Sequence, residues 1–240
     1  MPFRTEEGVV VPAVTAEQMR EVDRIAVEDF GLSILQMMEN AGRNLALHVL
    51  DMLGGENGQV TILAGSGGNG GGALCCARHL HNRDLDVLVV LDRAAEELKE
   101  AAENQLRILQ AAGVQPLLPS QAGDAIRRAS VVVDGFIGYG LRGAARGRTA
   151  ELITSCNQDA ARVISLDVPS GMNATTGETL GPVVRPERTL TLALPKTGLQ
   201  DIPGELYLAD ISIPPAVYER VGLSVPFLFG EEYWVRLEVT

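Results

Sequence analysis

Three glycine-punctuated segments hold the side chains of this sequence that could do chemistry together. The first is Gly65-Ser66-Gly67-Gly68-Asn69-Gly70-Gly71-Gly72. Glycines let a ligand approach the backbone, and a helix opening there directs unpaired amides and partial positive charge outward, a cradle for a phosphate or diphosphate. Gly65-x-Gly67-x-x-Gly70 also fits the dinucleotide fingerprint, with Asp92 about 20 residues on, where a ribose acceptor sits in that pattern. The second segment runs Asp134-Gly135-Phe136-Ile137-Gly138-Tyr139-Gly140-Leu141-Arg142-Gly143. Its aspartate directly follows the apolar Val131–Val133, where an unpaired carboxylate is costly and calls for a cation or amide partner. Arg142 is either a contact for an anionic ligand or a solvated loop charge. The third, Asp167-Val168-Pro169-Ser170-Gly171-Met172-Asn173, sets a carboxylate and a hydroxyl three residues apart in a Pro/Gly turn.

Each segment also has a purely structural reading, as a tight ligand-free turn, a carboxylate capping nearby amides, and a turn lock. Asn69, Asp134 and Ser170 together offer an amide oxygen, a carboxylate and a hydroxyl. One negative charge among neutral oxygens suits a monovalent cation better than a tightly held divalent one. No His/Cys cluster competes for a transition metal, and His48, His79 and His81 read as structural or surface residues.

The elements that would position these segments follow from periodicity. Val60–Ala64, Val87–Leu91, Val131–Val133, Val163–Leu166 and Leu190–Leu194 are short apolar runs with little polar alternation, as in strands covered on both faces. Helical stretches at 70–82, 94–112 and 147–158 are long enough for right-handed crossovers. The result is a doubly wound α/β sheet, in which ligands bind beyond the carboxyl ends of the strands at a switch in strand order. All three segments follow strands. Two helices precede the sheet, opened by the capping boxes Thr15–Gln18 and Ser33–Gln36. The second carries a core-facing stripe of Met38, Ala41, Leu45, Val49 and Met52 and stops at Gly54-Gly55. A further strand is expected over Glu205–Ile213, ended by Pro214-Pro215, with a tail containing Trp234.

Composition limits the partners. The 240 residues read as one domain spanning 1–240, large enough to bury about 70% of the unfolded surface without disulfide or structural metal. A net charge of −11 has the wrong sign for gripping nucleic acid or an anionic membrane. Cys75 and Cys76 are adjacent and Cys156 is distant, which matches no disulfide framework. The N-terminus has no secretory pattern and no run reaches the ~18 apolar residues of a membrane span, so a cytoplasmic protein is expected.

Six ordered motifs resemble the YjeF N-terminal domain family of NAD(P)H-hydrate epimerases. They are Met38-Glu-Asn-Ala-Gly42, the Gly65–Gly72 loop with Ala77-Arg-His-Leu80, Asp134–Gly143, Asp167–Gly171, Ala193-Leu-Pro-Lys-Thr-Gly198 and Ala209-Asp-Ile-Ser-Ile-Pro214. The resemblance implies a Rossmann-like three-layer α/β/α sandwich with a mostly parallel sheet, commonly a homodimer, that interconverts the R and S forms of hydrated NADH and NADPH. It implies functional coupling to a separate NAD(P)H-hydrate dehydratase, which many bacteria fuse on the C-terminal side and this chain ends without. It also implies one potassium ion per subunit on Asn69, Asp134 and Ser170. Gly68, Asn69, Gly70, Gly71 and Gly72, then Gly138, Tyr139, Gly140, Leu141, Arg142 and Gly143, fall on its substrate-binding positions together with Asp167, the acid/base candidate. One departure stands out: Gly72 occupies the place of an aspartate in the family pattern. Two other readings share these motifs, a catalytically silent nucleotide-binding or scaffold module and an NAD(P)-dependent oxidoreductase using the fingerprint and Asp92.

Overall fold

The computed structural model describes residues 2–239. In chain order the elements are β1 (Phe3–Thr5), β2 (Val10–Val11), α1 (Ala16–Glu28), α2 (Ile34–Leu53), β3 (Val60–Ala64), α3 (Gly68–His81), β4 (Val87–Leu91), α4 (Glu100–Ala111), α5 (Ala122–Arg128), β5 (Val131–Gly135), α6 (Gly147–Asp159), β6 (Val163–Leu166), β7 (Arg188–Leu192), β8 (Glu205–Ala209), α7 (Pro215–Arg220) and β9 (Trp234–Val239). Among the described residues they form one nine-stranded sheet in the order β2-β1-β9-β8-β7-β6-β5-β3-β4. The six strands from β8 to β4 are parallel, whereas β9, β1 and β2 join antiparallel.

The pleat sorts the apolar runs between two helical layers. Val131 and Val133 of β5 pack with Leu45 and Val49 of α2 and Leu74 and Leu80 of α3, while Val132 between them packs with Ile126 of α5 and Ile153 of α6. The fold is therefore the expected α/β sandwich around a mostly parallel sheet. A third apolar cluster gathers α1 and α7 about β1, β8 and β9 through Val22, Val217, Phe3, Leu208 and Leu237. Both N-terminal capping boxes form, with Thr15 and Ser33 each accepting from the backbone three residues on. Helices α2 and α3 touch almost backbone to backbone, because a Cβ at Gly42 would lie 2.5 Å from Cys75 Cβ.

Several boundaries differ from the sequence reading, each for a local reason. The expected strand over Leu190–Leu194 is β7, two residues earlier, because Ala193 turns left-handed at φ 64°. The helix expected over 94–112 breaks at Leu98 and Lys99, which are extended, and the Lys99 amide docks on the Ser66 carbonyl at 3.0 Å. Asp134 lies within β5 rather than after it. The strand expected over Glu205–Ile213 ends at Ala209, and Pro215 begins a helix instead of merely ending a strand. The tail around Trp234 is β9, paired to β8 and β1.

His48, read from the sequence as structural or surface, is a buried core residue of α2. Its ring lies 4.7 Å from that of Tyr207 and 5.0 Å from that of Trp234, and its Nδ1 is 3.2 Å from the Arg188 guanidinium. Burial, aided by Arg188, pushes its pKa from 6.5 down to about 4. Unfolding returns the ring to water, so between those values the unfolded chain binds the extra proton. Stability is full above pH 6.5 and falls as the pH drops towards 4. Replacing His48 with Phe is expected to remove up to about 3 kcal/mol of that pH dependence, read from urea midpoints of the two proteins across the window.

Candidate active site

The chain reverses its direction of winding at β3. Strand β4 lies on one side of β3 and β5 on the other, which makes the carboxyl ends of β3 and β5 a topological switch point. A cavity of about 820 Å³ opens there, lined among others by Gly68, Asn69, Gly138, Tyr139, Asp167 and Lys196.

Strands β6 and β7 are neighbours and end in the same way. The Val168 amide donates to the Leu166 carbonyl at 2.9 Å around Asp167, and the Leu194 amide to the Leu192 carbonyl at 2.7 Å around Ala193. The residue at the centre of each three-residue turn is left-handed, Asp167 at φ 67° and Ala193 at φ 64°. Such a turn strains a residue with a Cβ, and strain of this kind collects where a side chain must be aimed. The first turn aims Asp167 into the cavity. The second leads the chain to Lys196, whose ammonium donates to Asp167 Oδ1, to the Leu192 carbonyl at 2.7 Å and to Thr191 Oγ1 at 3.4 Å. The side chains are only 1% (Lys196) and 5% (Asp167) exposed, so this is a buried ion pair. The Tyr139 amide donates to the other oxygen, Asp167 Oδ2, at 2.9 Å.

Gly138 closes this arrangement. A Cβ at that position would lie 2.7 Å from Asp167 Oδ2 and 3.1 Å from Asn69 Oδ1, so two side chains from separate strand ends converge on the space it leaves. Asp134 is fully buried nearby. Its carboxylate accepts from Ser165 Oγ at 2.7 Å, the Ser170 amide at 2.9 Å and, more weakly, the Phe136 amide at 3.4 Å. All three donors are neutral, and desolvation pushes its pKa up despite them. Ser170 Oγ accepts from the Ile137 amide at 2.9 Å, and Asn69 Nδ2 is buried without a partner.

Of the expected substrate-binding residues, Gly68, Asn69, Gly72, Gly138, Tyr139, Gly140 and Asp167 line the cavity. Gly70 and Gly71 are buried behind it. A Cβ at Gly70 would meet the Gly65 carbonyl at 1.8 Å, and one at Gly71 the Met38 side chain at 2.5 Å. The Gly71 amide already bonds the Gly67 carbonyl, so only the α3 amides before it are free for an anion. Leu141, Arg142 and Gly143 lie beyond the lining, with Arg142 exposed. Asp92 lines the cavity but is gripped by Arg93 at 2.9 and 3.0 Å and by Thr149 at 2.7 Å.

Among the lining residues that the sequence reading did not name for the site are Lys196 and Asp23 of α1. The Tyr139 hydroxyl donates to Asp23 Oδ2. Lys196 sits inside a quoted motif, so its charge in an apolar run was the available signal. Asp23 had none. A mixed cluster of Glu39, Cys75 and His79 also forms, contrary to the expectation of no His/Cys grouping. Arg78 sits in it, 2.5 Å from Glu39, and burial pushes the Cys75 thiol up to about 12, so the cluster joins α2 to α3 through Glu39, with Arg78 Nε buried and unpartnered.

Residues 34–198 match the family described as YjeF-related protein N-terminus. The chain belongs to this family. A curated NAD(P)H-hydrate epimerase of Dehalogenimonas lykanthroporepellens is 50% identical to this family member, over 99% of this chain and 97% of that one. One of Rhodopirellula baltica is 37% identical, over 85% of this chain and 86% of its own. The bifunctional NAD(P)H-hydrate repair enzyme Nnr of Salinibacter ruber is 36% identical over 89% of this chain, which matches 43% of that longer protein. The crystal structure of yeast ynu0 shares the YjeF N-terminal fold seen here, with TM-score 0.84 at 22% identity, covering 94% of this chain and all of that one.

Removing one partner of the buried pair leaves an uncompensated charge. Lys196→Met is expected to cost about 3–5 kcal/mol of stability in urea unfolding, and adding Asp167→Asn is expected to recover part of it.

Proposed function

We propose that this chain is an NAD(P)H-hydrate epimerase, an isomerase that interconverts the R and S forms of hydrated NADH and NADPH in nicotinamide nucleotide repair. One observation carries the reading: Asp167, ion-paired with Lys196, lines a cavity at the switch point beside the free amides of α3. The relatives named as epimerases, at 50% and 37% identity, have the same chemistry in their names.

The hydrate carries a hydroxyl on C6, next to the ring nitrogen. When that hydroxyl leaves with the C6–O electron pair, the nitrogen lone pair forms a planar iminium, and water adding to the opposite face gives the other epimer. Asp167 takes a proton from the returning water and, in the reverse direction, gives one to the departing hydroxyl. Its fixed negative charge meets the iminium positive charge, and the Tyr139 amide and Lys196 hold the carboxylate in place. The first amides of α3, from Gly68 to Gly70, hold the diphosphate, Gly72 leaves space in the lining, and Gly71 gives room to the Met38 side chain behind it. Gly138–Gly143 form the facing loop.

The donor set of Asn69, Asp134 and Ser170 fits potassium. Asp134 is a buried carboxylate with neutral hydrogen-bond donors only, so a monovalent cation supplies the missing positive charge. Asn69, Asp134 and Ser170 would hold the ion, which would supply charge balance for the buried Asp134 carboxylate.

The reading extends to a homodimer, supported by the exposed Phe30, Ile34 and Leu35 clustered at the α1–α2 turn beside the cavity. It extends as well to coupling with a separate dehydratase, supported by relatives named as bifunctional repair enzymes, and to a cytoplasmic location. Among the described residues no helix is long and apolar enough to cross a membrane.

The test is epimerisation of purified S- or R-NADHX, followed chromatographically and corrected for the spontaneous reaction. The wild type is expected to accelerate it, less so without potassium, and Asp167→Asn to lose at least about 100-fold. Tight binding of the hydrate with no acceleration, in folded protein, would instead mark a binding module.

A further inference from the structure

The epimerisation just proposed needs two proton transfers, one to the departing hydroxyl and one from the returning water, on opposite faces of one carbon. Asp167 serves one face. The lining also includes Asp23, a carboxyl for which neither the motifs nor the mechanism above has a use; of the other carboxylates there, Asp92 is held by Arg93 and Thr149, and Glu100 is exposed.

The two carboxyls are joined through one residue. The Tyr139 amide donates to Asp167 Oδ2 at 2.9 Å, and the Tyr139 hydroxyl donates to Asp23 Oδ2. Tyr139 therefore spans the distance between them, and all three residues line the same cavity. Their partners differ in kind. Asp167 receives the Lys196 ammonium, so its charge is neutralised as an ion pair. Asp23 receives a neutral phenol. Groups facing Asp23 from the surrounding elements are Tyr139 after β5, Asp167 after β6, Lys196 after β7 and Tyr218 of α7, with Arg20 on its own helix 5.9 Å from the Tyr139 ring. Burial is the largest influence and pushes the Asp23 pKa up, and the Asp167 charge adds to it, against the Tyr139 hydrogen bond and Lys196. Two carboxyls in one cavity with unlike partners, one an ammonium and the other a phenol, are how a fold divides acid and base work.

We infer that Asp23 is a second catalytic residue, the acid that protonates the departing C6 hydroxyl, paired across the ring with Asp167 as the base that deprotonates the returning water. This rests on the epimerase reading. The proton of Asp23 passes to the hydroxyl oxygen, the C6–O bond breaks with its electron pair leaving as water, and the nitrogen lone pair forms the N1=C6 bond. A lone pair of the incoming water then forms the new C6–O bond from the other face, the π pair returns to nitrogen, and the released proton goes to Asp167. One water leaves and one enters, and exchange with solvent restores the two carboxyls. The opposite epimer runs the same steps with the roles exchanged.

The experiment is the pH dependence of kcat/KM for NADHX in the wild type, D23N and Y139F, beside a carbon-13 carboxyl titration of Asp23 by NMR. D23N is expected to lose about 100-fold or more and to lose the alkaline limb of the profile, with D23E recovering part of the rate. Y139F removes a hydrogen bond that stabilises the Asp23 anion, so both the alkaline limb and the Asp23 midpoint are expected to move to higher pH. Profiles unmoved in both variants, or an Asp23 midpoint at the ordinary aspartate value near 3.8, would overturn the role whatever the rates. A raised midpoint with no acceleration by the wild type would overturn the epimerase reading, and the role with it.

Discussion

A lysine ammonium and an aspartate carboxylate, sealed together where two parallel strands end, set the terms for the rest of this molecule. The Lys196–Asp167 pair is buried, so neither charge survives without the other, and both need further polar partners. Those partners come from the Leu192 carbonyl and the Tyr139 amide, which ties the end of β7 to the loop after β5. The twin left-handed turns at Asp167 and Ala193 follow from the same demand. Each strand must stop abruptly so that one delivers the carboxylate and the other swings the chain round to the ammonium.

The switch in strand order turns this pair into a site. With β3 flanked by β4 and β5, the glycine-rich start of α3 and the loop after β5 have no helix between them, and the cavity occupies the gap. Side-chain volume is withheld where it would interfere. Gly138 leaves space for Asp167 and Asn69, and Gly70 lets the turn fold onto the Gly65 carbonyl. Gly72 belongs to the same wall, but a Cβ there would meet only a methyl of Leu166 at 2.9 Å. Its backbone therefore does not demand glycine, and the residue leaves this part of the lining without a side chain.

Much of this was legible in the sequence because parallel strands buried on both faces read as apolar runs. β3, β4 and β6 fall on the expected residues, and the loops that follow strands could be named with their oxygen donors. What the sequence hid is tertiary. Lys196 is 29 residues from Asp167 and lies past a turn that reads as continued strand, since nothing in Ala193 signals a left-handed backbone. Asp23 is 116 residues from Tyr139, at a position of an amphipathic helix where a carboxylate reads as solvated. The short strands β1 and β2 carry too few residues for alternation to show, and β9 draws its pairing from β8 and β1 rather than from any local turn.

Under the proposed function, the site would move protons at a carbon whose neighbour can carry positive charge, with the first α3 amides for an anionic ligand and the Asp167 carboxylate held by Lys196 and the Tyr139 amide. Epimerisation by this route requires that water leaves and returns through an iminium, assisted by these carboxyls. Epimerisation of a single NADHX epimer by this protein in oxygen-18 water tests it most directly. Each inverted molecule is expected to carry solvent oxygen at C6 and to form faster than in the protein-free control. Inverted product that keeps its original oxygen would contradict it, because the C6–O bond would then never have broken.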